Sequence, residues 1–167
     1  MSEKKQKILI IGSGGREHAV GWKVAQSERV GQIFFTPGNA GTAEIGMNID
    51  IKAIDLTELI KFAKTEQVNL TLALPDDPLA LGIVDAFQAQ NLRIWGPTKA
   101  ASELEWSKAY AKDFMKRHGI PTAKYEVFTD FEKAKAYLST WQVDKFPLVV
   151  KETGLALGKV VTVAKTK

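Results

Sequence analysis

The residues best suited to bind a ligand lie near the start of the chain, where three glycines follow an apolar run. Residues 8–11 are all apolar, Gly12, Gly14 and Gly15 follow them, and helical spacing resumes at Arg16. A glycine turn between a buried strand and a helix lets backbone N–H groups approach a ligand, and the helix N-terminus favours an anion. The turn therefore predicts a phosphate-bearing ligand, which could be a dinucleotide, a mononucleotide or a sugar phosphate.

Two details disfavour the dinucleotide. Its fingerprint requires a further glycine where this chain has Glu17, and an acidic residue after the second strand, about 20 residues further on. The predicted second strand instead continues into Pro37-Gly-Asn-Ala-Gly-Thr42, which carries no carboxylate for a ribose diol. A nicotinamide or flavin site is therefore disfavoured. Taken alone, the glycines could equally form a tight turn without a ligand.

The first hundred residues alternate predicted strands with predicted helices. The strands are expected at 7–11, 32–35, 48–51, 70–74 and 92–95, and the helices at 16–26, 55–65 and 78–90. This alternation predicts an α/β fold with a parallel sheet covered on both faces. Ligands of such sheets bind beyond the carboxyl ends of the strands. The glycine turn, the 37–42 loop and the 75–78 loop all follow strands, so we expect them to share one edge.

The remaining residues predict a connecting helix and a smaller second lobe. A long helix is expected over 99–118, because Gly119 and Pro121 end it in the usual order. Strands are expected at 124–128, 147–152 and 159–164, with a helix at 131–140 and a glycine loop between Gly154 and Gly158. We expect the last strand to be an exposed sheet edge, which favours pairing with a second chain.

Composition excludes several classes of protein. The 167 residues are 45% hydrophobic and 25% charged, include no cysteine, and have no apolar run of membrane-spanning length. The net charge of +4 lies in the last 67 residues, where the lysines are scattered rather than clustered with aromatic residues. We therefore expect a cytoplasmic protein with a small-molecule ligand, and neither a nucleic acid nor a membrane as its partner.

Six segments, spread in order along the chain, resemble the glycinamide ribonucleotide synthetase (phosphoribosylamine–glycine ligase) family of the ATP-grasp superfamily. They are Ile11-Gly-Ser-Gly-Gly-Arg-Glu-His-Ala19, Pro37-Gly-Asn-Ala-Gly-Thr42, Gly82-Ile-Val-Asp-Ala-Phe87, Trp95-Gly-Pro-Thr98, Ser107-Lys-Ala-Tyr-Ala-Lys-Asp-Phe-Met115 and His118-Gly-Ile-Pro-Thr122. The resemblance implies a Rossmann-like substrate-binding domain over residues 1–98, a linker helix over 99–122 and a partial ATP-grasp subdomain over 123–167.

The resemblance also implies an activity and a site. The family joins glycine to 5-phosphoribosylamine at the expense of ATP, with Mg²⁺, in de novo purine biosynthesis, through a glycyl phosphate. The residues implied for the phosphoribosyl substrate are Gly14, Gly15, Arg16, Asn39, Thr42 and Asp76. Those implied for ATP are Lys108, Lys151, Gly154, Gly158 and Lys159.

The chain departs from the family pattern at functional places. Asp76 stands where the family has glutamate, while Trp106 and Val160 each stand where it has glycine. After Lys151 only Glu152 is acidic, so a pair of carboxylates for magnesium is missing, and no catalytic or metal residue is assigned. We therefore expect a truncated ligase that is inactive alone. The alternative is a non-catalytic phosphoribosyl- or nucleotide-binding or regulatory protein that docks on a complete ligase.

Overall fold

The computed structural model describes residues 5–141, 147–155 and 161–165, and the chain divides into two compact units, Met1–Ser102 and Glu103–Lys167. Each unit is described by itself below. Gly158, Lys159 and Val160, three positions singled out by the sequence, lie outside the described residues. No helix in the described part of the chain is long and apolar enough to span a bilayer.

The first unit is a five-stranded parallel sheet with helices, in the strand order β3-β2-β1-β4-β5. Its strands are β1 (Gln6–Gly12), β2 (Val30–Pro37), β3 (Met47–Asn48), β4 (Leu70–Ala73) and β5 (Ile94–Trp95). The helices are α1 (Gly15–Ala25), α2 (Leu56–Thr65), α3 (Asp76–Ala80), α4 (Ile83–Gln88) and α5 (Lys99–Trp106), the last of which crosses the boundary between the units. The predicted α/β class and parallel sheet are confirmed.

Alternating side chains of the central strand, β1, pack into two hydrophobic cores, one on each face of the sheet. Leu9 and Ile11 of β1 pack with residues of α2, α3 and α4, whereas Ile8 and Ile10 pack on the side of α1. A strand buried on both faces reads as a continuous apolar run, which is why residues 8–11 are all aliphatic. The glycine turn therefore follows a strand whose last five residues are buried.

The α1 face of the sheet is covered only in part. Leu70, Leu72 and Leu74 line a groove of about 680 Å³ together with Val20 of α1 and Trp95 of β5, a residue that is 61% exposed. The sequence predicts that both faces of the sheet are covered. On the α1 face this holds at β1 and β2, but within the described residues it does not hold at β4 and β5.

Two predicted elements of the first unit differ from the structure. The helix predicted over 78–90 is two helices, α3 and α4, because Gly82 adopts a φ of +88° that ends a right-handed helix. The strand predicted over 48–51 pairs only at Met47 and Asn48, beside β2. In both cases a local backbone conformation interrupts an apolar pattern that is continuous in sequence.

The second unit contains α6 (Lys108–Arg117), α7 (Phe131–Ser139) and an antiparallel pair of strands, β6 (Leu148–Lys151) and β7 (Val161–Ala164). The single long helix predicted over 99–118 is wrong. Ser107 has a non-helical ψ of 100° and its hydroxyl oxygen accepts a hydrogen bond from the Tyr110 N–H, so it ends α5 and caps α6. Within the described residues β7 pairs only with β6.

The strand predicted over 124–128 is also wrong, because the structure shows no strand there. The Tyr125 hydroxyl instead donates a hydrogen bond to Asp113 Oδ1 of α6 at 2.7 Å. This hydrogen bond to the carboxylate raises the pKa of Tyr125 above its ordinary value, because ionisation of the phenol would remove the donor.

A buried hydroxyl on β2 leads to a stability prediction. Thr36 is fully buried and its Oγ1 has no hydrogen-bond partner among the described residues. A buried polar group without a partner costs about 1–3 kcal/mol. Thr36→Val removes the hydroxyl at nearly constant volume, so we expect it to stabilise the protein by about 1 kcal/mol in urea unfolding. A loss of more than about 1 kcal/mol would show instead that the hydroxyl is bonded.

Candidate functional site

The register of the sheet brings the starts of three loops to one edge. Gly12, at the end of β1, pairs with Pro37 of β2, and Ile11 pairs with Ala73 of β4. The three strands are parallel, so the glycine turn, the 37–42 loop and the 75–78 loop all begin at their carboxyl ends. This is the edge at which ligands of parallel sheets bind.

A carboxylate lies inside the glycine turn. The Glu17 side chain is 4% exposed, and its Oε2 accepts a hydrogen bond from the Gly14 N–H at 2.7 Å. A Cβ on Gly12 would lie 2.6 Å from Glu17 Cγ, and the φ of Gly12 is +126°. Gly12 is therefore required both for the backbone conformation and for the space that Glu17 fills.

This carboxylate limits which backbone amides remain for a ligand. The first N–H groups of an α-helix have no acceptor within the helix. The Gly14 N–H is taken by Glu17, whereas no described residue accepts a hydrogen bond from the N–H of Gly15 or Arg16. An anion at this helix end would therefore meet the amides of Gly15 and Arg16.

The 37–42 loop is tied directly to the glycine turn. Asn39 Nδ2 donates a hydrogen bond to the Ser13 carbonyl oxygen at 2.8 Å, and Asn39 Oδ1 accepts one from the Thr42 N–H at 3.0 Å. Thr42 is fully buried, and its Oγ1 accepts a hydrogen bond from the Asn39 N–H at 2.7 Å. Asn48 Nδ2 donates to the Asn39 carbonyl oxygen at 2.7 Å. Asn39 and Thr42 therefore use their polar groups to fix the loop.

Helix α1 also packs closely under this loop. A Cβ on Gly41 would lie 2.6 Å from His18 Nδ1, so the imidazole occupies the space that a side chain at position 41 would need. Asp76 lies elsewhere on the edge, at the exposed start of α3, and makes no described hydrogen bond to the other two loops. Hydrogen bonds thus connect the glycine turn, with Gly14 and Arg16, to the loop that carries Asn39 and Thr42. Asp76 is not part of this network.

The second unit brings two of the predicted nucleotide-binding segments together. The Ala109 N–H at the start of α6 donates a hydrogen bond to Thr153 Oγ1 at 3.1 Å, so α6 meets the loop that follows β6. Lys108 begins α6, exposed Lys151 ends β6, and Gly154 has a φ of +101° in that loop. Lysines beside a glycine loop suit nucleotide phosphates, because a flexible ammonium group can follow the phosphate oxygens.

Magnesium binding depends on a group of side chains that can act as its ligands. Among the described residues, no three His, Cys, Asp or Glu side chains are grouped so that they could hold a metal ion. Mg²⁺ is usually bound through carboxylates together with substrate phosphates. The described residues therefore include lysines suited to a phosphate but do not supply a set of magnesium ligands.

Sequence reasoning treated Glu17 only as a mismatch to the dinucleotide fingerprint and did not consider Asn48. Glu17 carried a usable signal, because a glutamate three residues after a helix N-cap typically bonds back to the N-cap N–H. Asn48 carried none, since it lies 9 residues from the carbonyl that it contacts, on a separate strand.

Comparisons with known proteins place this chain in a family. Residues 6–105 match the model of the phosphoribosylglycinamide synthetase N domain, and residues 106–167 match that of the phosphoribosylglycinamide synthetase ATP-grasp (A) domain. The phosphoribosylamine–glycine ligase of Pasteurella multocida is 54% identical over 161 residues, which are 95% of this chain and 37% of that protein. The chain therefore spans a little over a third of the length of this relative.

Solved structures agree with the sequence comparisons. The crystal structure of phosphoribosylamine–glycine ligase from Thermotoga maritima matches with a TM-score of 0.70 and 32% identity, over 96% of this chain and 36% of that one. N5-carboxyaminoimidazole ribonucleotide synthetase from Thermus thermophilus matches in fold, with a TM-score of 0.64 and 19% identity over 96% of this chain and 41% of that one. Since the N-domain model alone covers more than half of the residues, this chain belongs to the phosphoribosylglycinamide synthetase family.

Proposed function

We propose that the first unit binds 5-phosphoribosylamine at the carboxyl edge of its sheet and serves the ATP-dependent ligation of that amine to glycine. The observation that carries the proposal is the hydrogen bond from Asn39 to the Ser13 carbonyl oxygen, which holds the second loop against the glycine turn. Relatives about half identical to this chain are phosphoribosylamine–glycine ligases, which supports the same substrate. The reaction belongs to purine biosynthesis, and we place it in the cytoplasm.

The groups at this edge suit the two parts of a phosphoribosyl ligand. The open amides of Gly15 and Arg16, with the Arg16 guanidinium, suit the phosphate, and Gly14 lets the ligand approach the backbone. Asn39 and Thr42 shape the wall of the pocket. The exposed carboxylate of Asp76 is an acceptor for ribose hydroxyls, although its reach is about one methylene shorter than that of glutamate.

We assign ATP to the second unit. Lys108, Lys151 and Gly154 would hold its phosphates, and the family resemblance assigns Gly158 and Lys159, which lie outside the described residues, to the same ligand. When bound, ATP supplies the phosphoryl group that activates the glycine carboxylate. The magnesium ligands would come from residues other than the described ones, so complete activity requires more of the family's fold than these residues provide. The unpaired edge of β7, within the described residues, is our candidate surface for a second copy or a complementing ligase subunit.

A binding measurement tests the phosphoribosyl site. Ribose 5-phosphate, a stable substitute for phosphoribosylamine, should bind the chain in calorimetry without ATP. Arg16→Ala should weaken this binding about tenfold or more, because a hydrogen bond to a charged group contributes about 1.5–3 kcal/mol. Arg29→Ala is the matched control: Arg29 is exposed and directly precedes β2, at the amino edge of the sheet, so its loss should leave binding unchanged.

An ADP-release assay tests for ligation itself. ADP release that depends on both glycine and phosphoribosylamine would establish ligation and refute a purely non-catalytic role. Binding of ribose 5-phosphate without such release fits both a ligase that needs the rest of the family's fold and a binding or regulatory protein that docks on a complete ligase. No binding of ribose 5-phosphate, or an equal loss of binding in Arg29→Ala, would refute the phosphoribosyl site.

A further inference from the structure

Arg16 and Glu17 form an ion pair in an unusual arrangement. Neighbouring residues of a helix normally point to different sides. Here the Arg16 Nε–H donates a hydrogen bond to Glu17 Oε1 at 2.9 Å, although the Arg16 side chain is 56% exposed and that of Glu17 is only 4% exposed. The exposed guanidinium is therefore bonded to a buried carboxylate through its inner nitrogen.

The carboxylate is itself held from the other side. Glu17 Oε2 accepts the Gly14 N–H at 2.7 Å, and two glycines leave just enough room for the side chain. A Cβ on Gly12 would lie 2.6 Å from Glu17 Cγ, and one on Gly14 would lie 2.8 Å from Glu17 Oε2. Because the carboxylate has this little space, the position of Arg16 Nε is set by the glycine turn.

The outer part of the guanidinium remains available. No described residue accepts a hydrogen bond from the two Nη groups of Arg16. These groups form a planar fork that matches two oxygens of a phosphate. They belong to the same residue whose backbone N–H, with that of Gly15, is open at the start of α1.

We propose that Glu17 is a positioning residue, which holds the Arg16 guanidinium so that its Nη groups and the open amides meet one phosphate monoester. The inference rests on the proposed phosphoribosyl site and assigns the phosphate end of the ligand to it. The same arrangement explains why the turn is unsuited to a dinucleotide. Glu17 already accepts the hydrogen bond of the Gly14 N–H, and its carboxylate places a negative charge where the dinucleotide's pyrophosphate would lie.

Glu17→Gln tests this role, because the amide oxygen can still accept the Gly14 N–H while the charged partner of Arg16 is lost. We expect the melting temperature to stay within about 2 °C of the wild type, and binding of ribose 5-phosphate to weaken about five- to tenfold. Removing a negative charge beside a phosphate would by itself tighten binding, so weaker binding identifies positioning. Glu44→Gln, the same change at an exposed residue near the loop, should not weaken binding.

The coupling to Arg16 is the second measurement. In an Arg16→Ala background, Glu17→Gln should no longer weaken ribose 5-phosphate binding, because the side chain that Glu17 positions is gone. A Glu17→Gln variant that binds as tightly as the wild type, or an equal loss with and without Arg16, would overturn the inference.

A ligand-free readout separates this inference from the proposed function. In nuclear magnetic resonance spectra without ligand, the Arg16 Nε–H signal should exchange slowly in the wild type and in Glu44→Gln, and quickly in Glu17→Gln. Equally fast exchange in all three would overturn the positioning role. Slow exchange in a wild type that binds no ribose 5-phosphate would instead refute the proposed function.

Discussion

Phe35→Ala is expected to destabilise the first unit by about 3–5 kcal/mol, which is the usual loss when a buried phenylalanine is truncated. Phe35 is fully buried on β2, in the core that it shares with Ile8, Ile10 and Ile33. Urea unfolding followed by circular dichroism would measure the loss. Trp22→Ala is the control: it truncates a larger aromatic ring that is 58% exposed, so we expect a loss below about 1 kcal/mol.

A second substitution, at Gly21 of α1, tests the contact between the Phe35 ring and this helix. A Cβ on Gly21 would lie 2.7 Å from Phe35 Cε1, so Gly21→Ala should overpack the wild-type core and destabilise it, by about 1–3 kcal/mol before any gain in helix propensity. In the Phe35→Ala background the methyl group enters the space left by the ring, and alanine favours the helix by about 1 kcal/mol. The effect of Gly21→Ala should therefore change sign. The same sign in both backgrounds would disprove this contact.

Gly12→Ala is expected to cost about 2–6 kcal/mol of stability and to abolish ribose 5-phosphate binding. Two effects combine, a φ of +126° that strains any L-residue and a Cβ that would lie 2.6 Å from Glu17 Cγ. Each contributes about 1–3 kcal/mol. Displacement of Glu17 would also release the Gly14 N–H and the Arg16 guanidinium. Urea unfolding and calorimetry on the same sample would measure the two losses.

Glu17→Ala separates the two causes. With the glutamate removed, the steric part of the cost disappears, so Gly12→Ala should destabilise this background by only the strain of its φ, about 1–3 kcal/mol. Gly15→Ala is the matched glycine control for stability, since a Cβ there meets no atom within 4 Å. If Gly12→Ala cost the same with and without Glu17, the carboxylate would not fill the turn.

The sequence predicts the sheet well because a strand that is buried on both faces is a continuous run of apolar residues. The aliphatic run at residues 8–11 is typical of a strand covered on both faces, and its spacing from the next apolar runs favours crossovers by helices. The predicted glycine loops consequently fall at one edge, as the observed register requires. Helix ends are harder to predict, since a break such as that at Ser107 depends on one hydroxyl bonding one amide within an otherwise helical pattern.

The site is less predictable because its contacts join residues that are distant along the chain. Asn39 and Ser13 are 26 positions apart, and no periodicity indicates that their loops are hydrogen-bonded. Nor does residue type reveal that the side chains of Asn39 and Thr42 are engaged within the loop. Both facts depend on where the loop lies once the sheet has formed.

By itself, the sequence determined the fold class, the family resemblance and the edge at which a ligand would bind, because strand and helix periodicity and the glycine positions are local properties. Only the tertiary structure decided what each polar group at that edge does. It placed the Glu17 carboxylate inside the glycine turn, removed the Gly14 N–H from use and left the outer nitrogens of Arg16 without a described acceptor. The physical reason is that hydrogen-bond partners are chosen by distance and burial, which exist only after the chain has folded.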